Sequence, residues 1–174
     1  MIDINEVVKH SDYADRQELR NSVYIEYLQY LVLKYINHSN LKNTVYLFGS
    51  FYNRIKFAIG RFGNSLDFIT KRSTAKEFSE INDKIKIALE LEGYKVSINK
   101  CTNSKFMLEV SSEKIKDNQT DKPIKFILYL NYYYANNLLK LSAYKEIISS
   151  CNINAYGIIT RIFCINARYS LSVL

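Results

Sequence analysis

The stretch Val45-Tyr46-Leu47-Phe48-Gly49-Ser50-Phe51-Tyr52-Asn53-Arg54 constrains this chain more than any other, because a buried run, a sharp stop and a helix follow one another without a spacer. Thr44 to Phe48 form a continuous apolar run of strand length, which Gly49-Ser50 breaks. A helix over residues 51–58 is expected next, with Phe51, Ile55 and Ala58 inward and Gly60 closing it. A strand, a tight turn and a helix in that order aim unpaired backbone N–H groups at whatever lies above the turn, and such a turn suits phosphate. The sequel Arg61-Phe62-Gly63-Asn64-Ser65-Leu66-Asp67-Phe68 reads as a loop leading into a return strand, Ser65 to Thr70. Alternation along that strand puts Asp67 on the face opposite Leu66 and Phe68.

Before this stretch, Leu19, Val23, Tyr27, Leu28, Leu31 and Tyr35 recur at three- and four-residue intervals. That spacing predicts a helix over residues 14–37, capped by Asp12 or Asp15 and ended by Asn37-His38-Ser39-Asn40. After it, Thr74-x-x-Glu77 is a capping box, and Phe78, Ile81, Ile85, Ala88 and Leu89 form the stripe of a second long helix that Gly93 stops. From Tyr94 the period becomes two: Tyr94, Val96, Ile98; Phe106, Leu108, Val110; Ile124, Phe126, Leu128, Leu130. These are successive strands, with Ser111 to Lys122 expected as the longest loop. Residues 138–166 read as further strands, 135–150 as partly helical, and Arg168 to Leu174 as the start of a helix.

At 174 residues with 48% hydrophobic and 24% charged content, the chain is sized for one domain with a real core. No run of about 18 apolar residues is present, and the first residues are acidic and polar, so a cytoplasmic protein without a membrane span is expected. The three cysteines, Cys101, Cys151 and Cys164, are widely spaced and far from His10 and His38, which signals neither a zinc site nor a disulfide framework. A net charge of +7 is spread along the chain without a basic block, and is weak support for nucleic-acid binding taken alone.

A phosphate-suited turn beside a metal-capable carboxylate is the skeleton of a nucleotidyl-transfer site. The order of elements resembles the polymerase-beta type of nucleotidyltransferase core and, more closely, the AbiEii/AbiGii toxin family of abortive-infection and toxin–antitoxin systems. The resemblance rests on Glu26-Tyr27-Leu28-Gln29-Tyr30-Leu31-Val32-Leu33 in the first helix, on Phe48-Gly49-Ser50, and on Arg61-Phe62-Gly63-Asn64-Ser65-Leu66-Asp67-Phe68. It covers residues 15–70 well and the remainder by pattern. It implies an α+β fold, with a mixed or antiparallel nucleotidyltransferase-like sheet, a long N-terminal helix and a second long helix packed on it. It also implies that Gly49 and Ser50 hold nucleotide phosphates, that Arg54 and Arg61 contact phosphate or form structural ion pairs, and that Asp67 with Ser65 binds Mg²⁺. The expected partners are a nucleoside triphosphate, an RNA (tRNA included) or protein acceptor, and an antitoxin.

Departures from the family pattern bear on the chemistry. Ser65 stands where the family has the first carboxylate of Asp-x-Asp, and the strand Ile124 to Tyr134 carries no acid, Asn131 being its short polar residue. Glu109 is the one carboxylate of the preceding strand that would stand in. Residues 1–174 are expected to be a single nucleotidyltransferase-like domain without the family's C-terminal helical portion. The expectation is therefore a phage-defence transferase that is weakened or inactive. The alternative is a non-catalytic binding module or truncated pseudoenzyme that pairs with an antitoxin or a full-length partner.

Overall fold

Asp3 begins the first helix, its carboxylate accepting from the Asn5 amide at 2.8 Å at the start of α1, Ile4–Lys9. The computed structural model describes residues 2–58, 61–70, 74–117, 119–134 and 148–165. The periodicity did not announce α1, because six residues are too short to show a stripe; Ile4, Val7 and Val8 are buried where it packs on α2. The long helix α2, Arg20–His38, is entered through a 3₁₀ turn at Gln17–Leu19. Neither Asp12 nor Asp15 caps it, since the tight turn supplies the entry and its Leu19 N–H donates to the Arg16 carbonyl at 3.0 Å. Every residue from Glu26 to Leu33 is buried, which no single apolar stripe would produce: α1, α4 and the sheet all pack on this helix.

Strand β1, Val45–Phe48, runs straight into α3, Gly49–Phe57, and β2, Ser65–Thr70, returns antiparallel beside β1. In α3 the buried residues are Phe51 and Tyr52; Ala58 is exposed and takes the left-handed conformation (φ 52°) that ends the helix. Gly60 lies outside the described residues. Helix α4, Ala75–Leu91, carries the expected box: Thr74 Oγ accepts from the Glu77 amide at 3.2 Å, and Glu77 Oε2 accepts from the Thr74 amide at 3.1 Å.

The remaining strands are β3 (Lys95–Lys100), β4 (Lys105–Lys116), β5 (Pro123–Tyr134), β6 (Ile148–Ala155) and β7 (Ile158–Ile165). β4 corrects the expected long loop, because it continues past Ser111 through a register shift and closes against Pro123 at Lys116. Ser112 and Ile115 are buried in this extension, so its polar sequence hides a paired strand. Residues 135–147 and 166–174, including the expected terminal helix, lie outside the described residues.

The described strands form one sheet in the order β3-β4-β5-β2-β1-β7-β6. β2 pairs parallel with β5 and β1 parallel with β7, while the other neighbours are antiparallel. Helices α2 and α4 cover one face, where Leu66, Phe68, Phe106, Leu108, Leu128, Leu130 and Tyr132 are buried. Tyr132 shows how tightly this layer closes, stacking on Phe78 at 4.9 Å while its hydroxyl donates to Asn82 Oδ1 at 2.6 Å. The alternate residues of β5 and β4, among them Asn131, Tyr129, Met107 and Glu109, are half-buried on the other face. None of the described helices is long and apolar enough to cross a membrane.

Candidate functional site

The antiparallel register of β1 and β2 sets Phe48 beside Asp67, so the next residue, Gly49, turns directly over the carboxylate. Gly49 has φ +78°, and a Cβ there would stand 2.9 Å from Asp67 Oδ2. Only glycine allows both the turn and this approach. Ser50 is exposed, and no side chain caps the start of α3, so its first N–H groups present donors at the corner. The corner and the acid therefore meet, as the two stretches required.

The other carboxylate oxygen is held from β5. Parallel pairing aligns Asp67 with Asn131, and Asn131 Nδ2 donates to Asp67 Oδ1 at 2.8 Å. Among the described residues Asn131 Oδ1 is buried without a partner. Ser65 lies on the same face one alternation earlier, aligned with Tyr129, and its carbonyl accepts from Gln29 Nε2 of α2 at 2.9 Å. Asp67 and Ser65 thus offer a carboxylate and a hydroxyl on one face of β2, with the Asn131 amide donating to the carboxylate from β5 and one formal charge among the three. Such a donor set suits a divalent ion that brings waters and phosphate oxygens of its own, and does not make an all-protein cage. Among the described residues no group of three or more His, Cys, Asp or Glu side chains converges on a point.

Two residues change standing. Glu109 was the stand-in acid, but it faces Ile127 on β5, four residues from Asn131 and so about 13 Å along the strand. Its carboxylate instead holds Lys125 Nζ at 2.9 Å. Arg54 is claimed by Glu26: Nε donates to Oε1 at 2.8 Å and the terminal nitrogen to Oε2 at 3.0 Å, with the guanidinium 4.1 Å over the Phe62 ring. Hydrogen bonding to Glu26 raises the guanidinium's pKa further, against the opposing effect of burial. Tyr156 donates to the same carboxylate at 3.2 Å, so Arg54 belongs to a buried network lining a cavity of about 360 Å³ on the α2 side. Of the two roles open to it in the sequence, the ion pair is the one built. Arg61 is exposed in the segment leading to β2.

Lys105 was missed. Antiparallel pairing of β4 with β5 puts it opposite Asn131, so Lys105, Asn131 and Asp67 stand in one row across three strands. Its ammonium lies 4.8 Å over the Tyr129 ring. Its phase is legible from the buried Phe106, Leu108 and Val110, but its row is not, because sequence does not say that β5 inserts between β4 and β2. Tyr133, two residues beyond Asn131 on the same face of β5, has its phenol pKa raised by burial and secondarily by the charge of Asp67.

This arrangement of helices and mixed sheet is a nucleotidyltransferase-like fold. Aligned with MenT4, a nucleotidyltransferase toxin from Mycobacterium tuberculosis H37Rv, the chain gives a TM-score of 0.60 at 13% identity, over 98% of its own length and 56% of the other's. With a protein of H. pylori described as a nucleotidyltransferase, the TM-score is 0.50 at 14% identity, over 87% of this chain and 56% of that one. The chain therefore spans little more than half the length of either. No protein-family model and no curated protein sequence matches it.

Proposed function

We propose that the chain binds a nucleoside triphosphate at the Gly49–Asp67 corner and belongs to a toxin–antitoxin or abortive-infection system of AbiEii-like type. The observation that carries this reading is the 2.9 Å approach of Asp67 Oδ2 to the Cβ position of Gly49, because it leaves no room for a side chain at the corner. The N–H groups of Gly49 and Ser50 hold phosphate oxygens, and exposed Arg61 and Lys105 add positive charge to the protein's surface. Asp67, with the Ser65 hydroxyl beside it, would hold Mg²⁺. When bound, that ion offsets the negative charge that builds on the phosphates during transfer to an RNA or protein hydroxyl.

The weak point of such an enzyme is proton removal from the acceptor hydroxyl. Asn131 occupies the row where a base would stand, and an amide takes no proton at neutral pH. That residue favours a second reading, in which the same corner binds nucleotide without turning it over and the protein acts by pairing with an antitoxin or a full-length partner. Incubation with the four labelled nucleoside triphosphates, Mg²⁺ or Mn²⁺ and total tRNA separates the two. Incorporation abolished by Asp67→Ala supports transfer, whereas nucleotide binding without incorporation supports the binding module. Strong incorporation that Asp67→Ala leaves untouched removes the site from either account.

A further inference from the structure

We propose that the Asn131 side chain is an ion-coupled switch: its amide group donates to Asp67 when no cation is bound and turns over to present its carbonyl oxygen when one is. This rests on the nucleotide-binding reading above. The amide orientation without an ion follows from its neighbour, since Oδ1 pointed at Asp67 would set two oxygens 2.8 Å apart with nothing between them. At the far end of the amide, Oδ1 is buried and has no partner among the described residues. An orphaned acceptor of this kind is rare in a native site and calls for an explanation.

A half-turn about the last side-chain bond exchanges the two ends in nearly the same volume. It brings Oδ1 to where Nδ2 stands, 2.8 Å from Asp67 Oδ1. That separation is about the edge of an octahedron with metal–oxygen distances of roughly 2.0–2.1 Å, the geometry Mg²⁺ demands. Two oxygens that would repel in the empty corner would both serve a cation held there with the phosphates. The position vacated by Oδ1 supplies no donor among the described residues, so the one bond the turn gives up is that to Asp67, which the cation's attraction for both oxygens would replace. One carboxylate plus one neutral carbonyl also holds the ion weakly by itself, so the switch turns fully only when nucleotide phosphates complete the coordination.

The test is the Asn131 side-chain amide in ¹H–¹⁵N spectra, assigned by its loss in Asn131→Asp. Mg²⁺ is added with α,β-methylene ATP or, separately, α,β-methylene CTP, and Mn²⁺ affinity in the presence of each nucleotide is measured by electron paramagnetic resonance. The proposal expects the amide signals to shift only when ion and nucleotide are both present. It also expects Mn²⁺ affinity to fall at least about tenfold in Asn131→Leu and to rise in Asn131→Asp. If Asn131→Leu fails to fold by circular dichroism, the near-isosteric Asn131→Asp carries the comparison. Ion and nucleotide binding with unmoved amide signals, or with equal affinity in every variant, overturns the switch and leaves the nucleotide site standing. Wild-type protein that binds neither nucleotide nor Mn²⁺ overturns the site itself, and the switch with it.

Discussion

Replacing Gly49 by alanine tests the corner on stability alone, without reference to any reaction. Two costs are expected. A β-carbon at φ +78° carries a left-handed penalty of about 1–2 kcal/mol. The same β-carbon would stand 2.9 Å from Asp67 Oδ2, so the carboxylate must shift, which strains the charge-assisted bond that Asn131 makes to Oδ1. Complete loss of that bond adds at most roughly 1.5–3 kcal/mol, so the sum lies above the backbone penalty alone and below about 5 kcal/mol. The controls are built into the chain. Gly157, at φ +73°, has nothing within 4 Å of its Cβ position, so Gly157→Ala carries only the backbone penalty. Gly63 has open space and no left-handed φ, and Gly63→Ala is expected within about 0.5 kcal/mol of wild type. Urea unfolding of Gly49→Ala in wild-type and Asp67→Ala backgrounds isolates the contact as a coupling energy. Removing the carboxylate should reduce the cost at Gly49 to the backbone penalty. Equal costs in the two backgrounds would refute the close approach, and with it the argument that glycine is required for the site.

Glu26→Ala breaks the buried ion pair with Arg54, the two side chains being 7% and 13% exposed, and is expected to cost about 3–5 kcal/mol by chemical denaturation. The apolar pair Glu26→Leu with Arg54→Met should recover most of that loss. Thr74→Ala removes the capping oxygen of α4 and should cost about 1 kcal/mol, measured the same way. Burial pushes the Cys164 thiol up to about 12, so a thiol reagent at pH 8 should label exposed Cys101 at once and Cys164 only after unfolding. Burial also holds the Tyr24, Tyr94 and Tyr132 hydroxyls above their ordinary 10.0. In the native state they stay protonated where unfolded tyrosines ionise. Their contribution is therefore constant below about pH 10 and falls above it by about 1.4 kcal/mol per pH unit for each, until the native hydroxyl itself ionises, which paired unfolding and tyrosinate-absorbance titrations will show.

Local patterns carried much of this fold. The capping box at Thr74 and Glu77, the strand Ser65–Thr70 and the phases of β3, β4 and β5 all depend on near neighbours in sequence, and each appears where periodicity places it. Where the local signal was short or misleading, the reading erred: α1 was too brief to show a stripe, and the polar end of β4 looked like loop because its burial at Ile115 comes from distant packing. Gly49 and Asp67 were legible as a pair because a strand, a tight turn and a return strand leave few ways to pair, and the register then brings them together.

Lys105, Asn131 and Glu109 show the limit. All lie on alternating strands whose faces can be assigned, yet which of them joins Asp67 depends on β5 sitting between β4 and β2, and on registers that set Asn131 beside the acid and Glu109 four residues away. Arg54 was equally open to a phosphate or to a carboxylate until α2 brought Glu26 within 2.8 Å. The amino-acid sequence alone determined what each face of each element would present, because side-chain direction follows from backbone period. Which faces meet was decided only by tertiary structure, because strand order and register are set by long-range burial that no window of sequence contains.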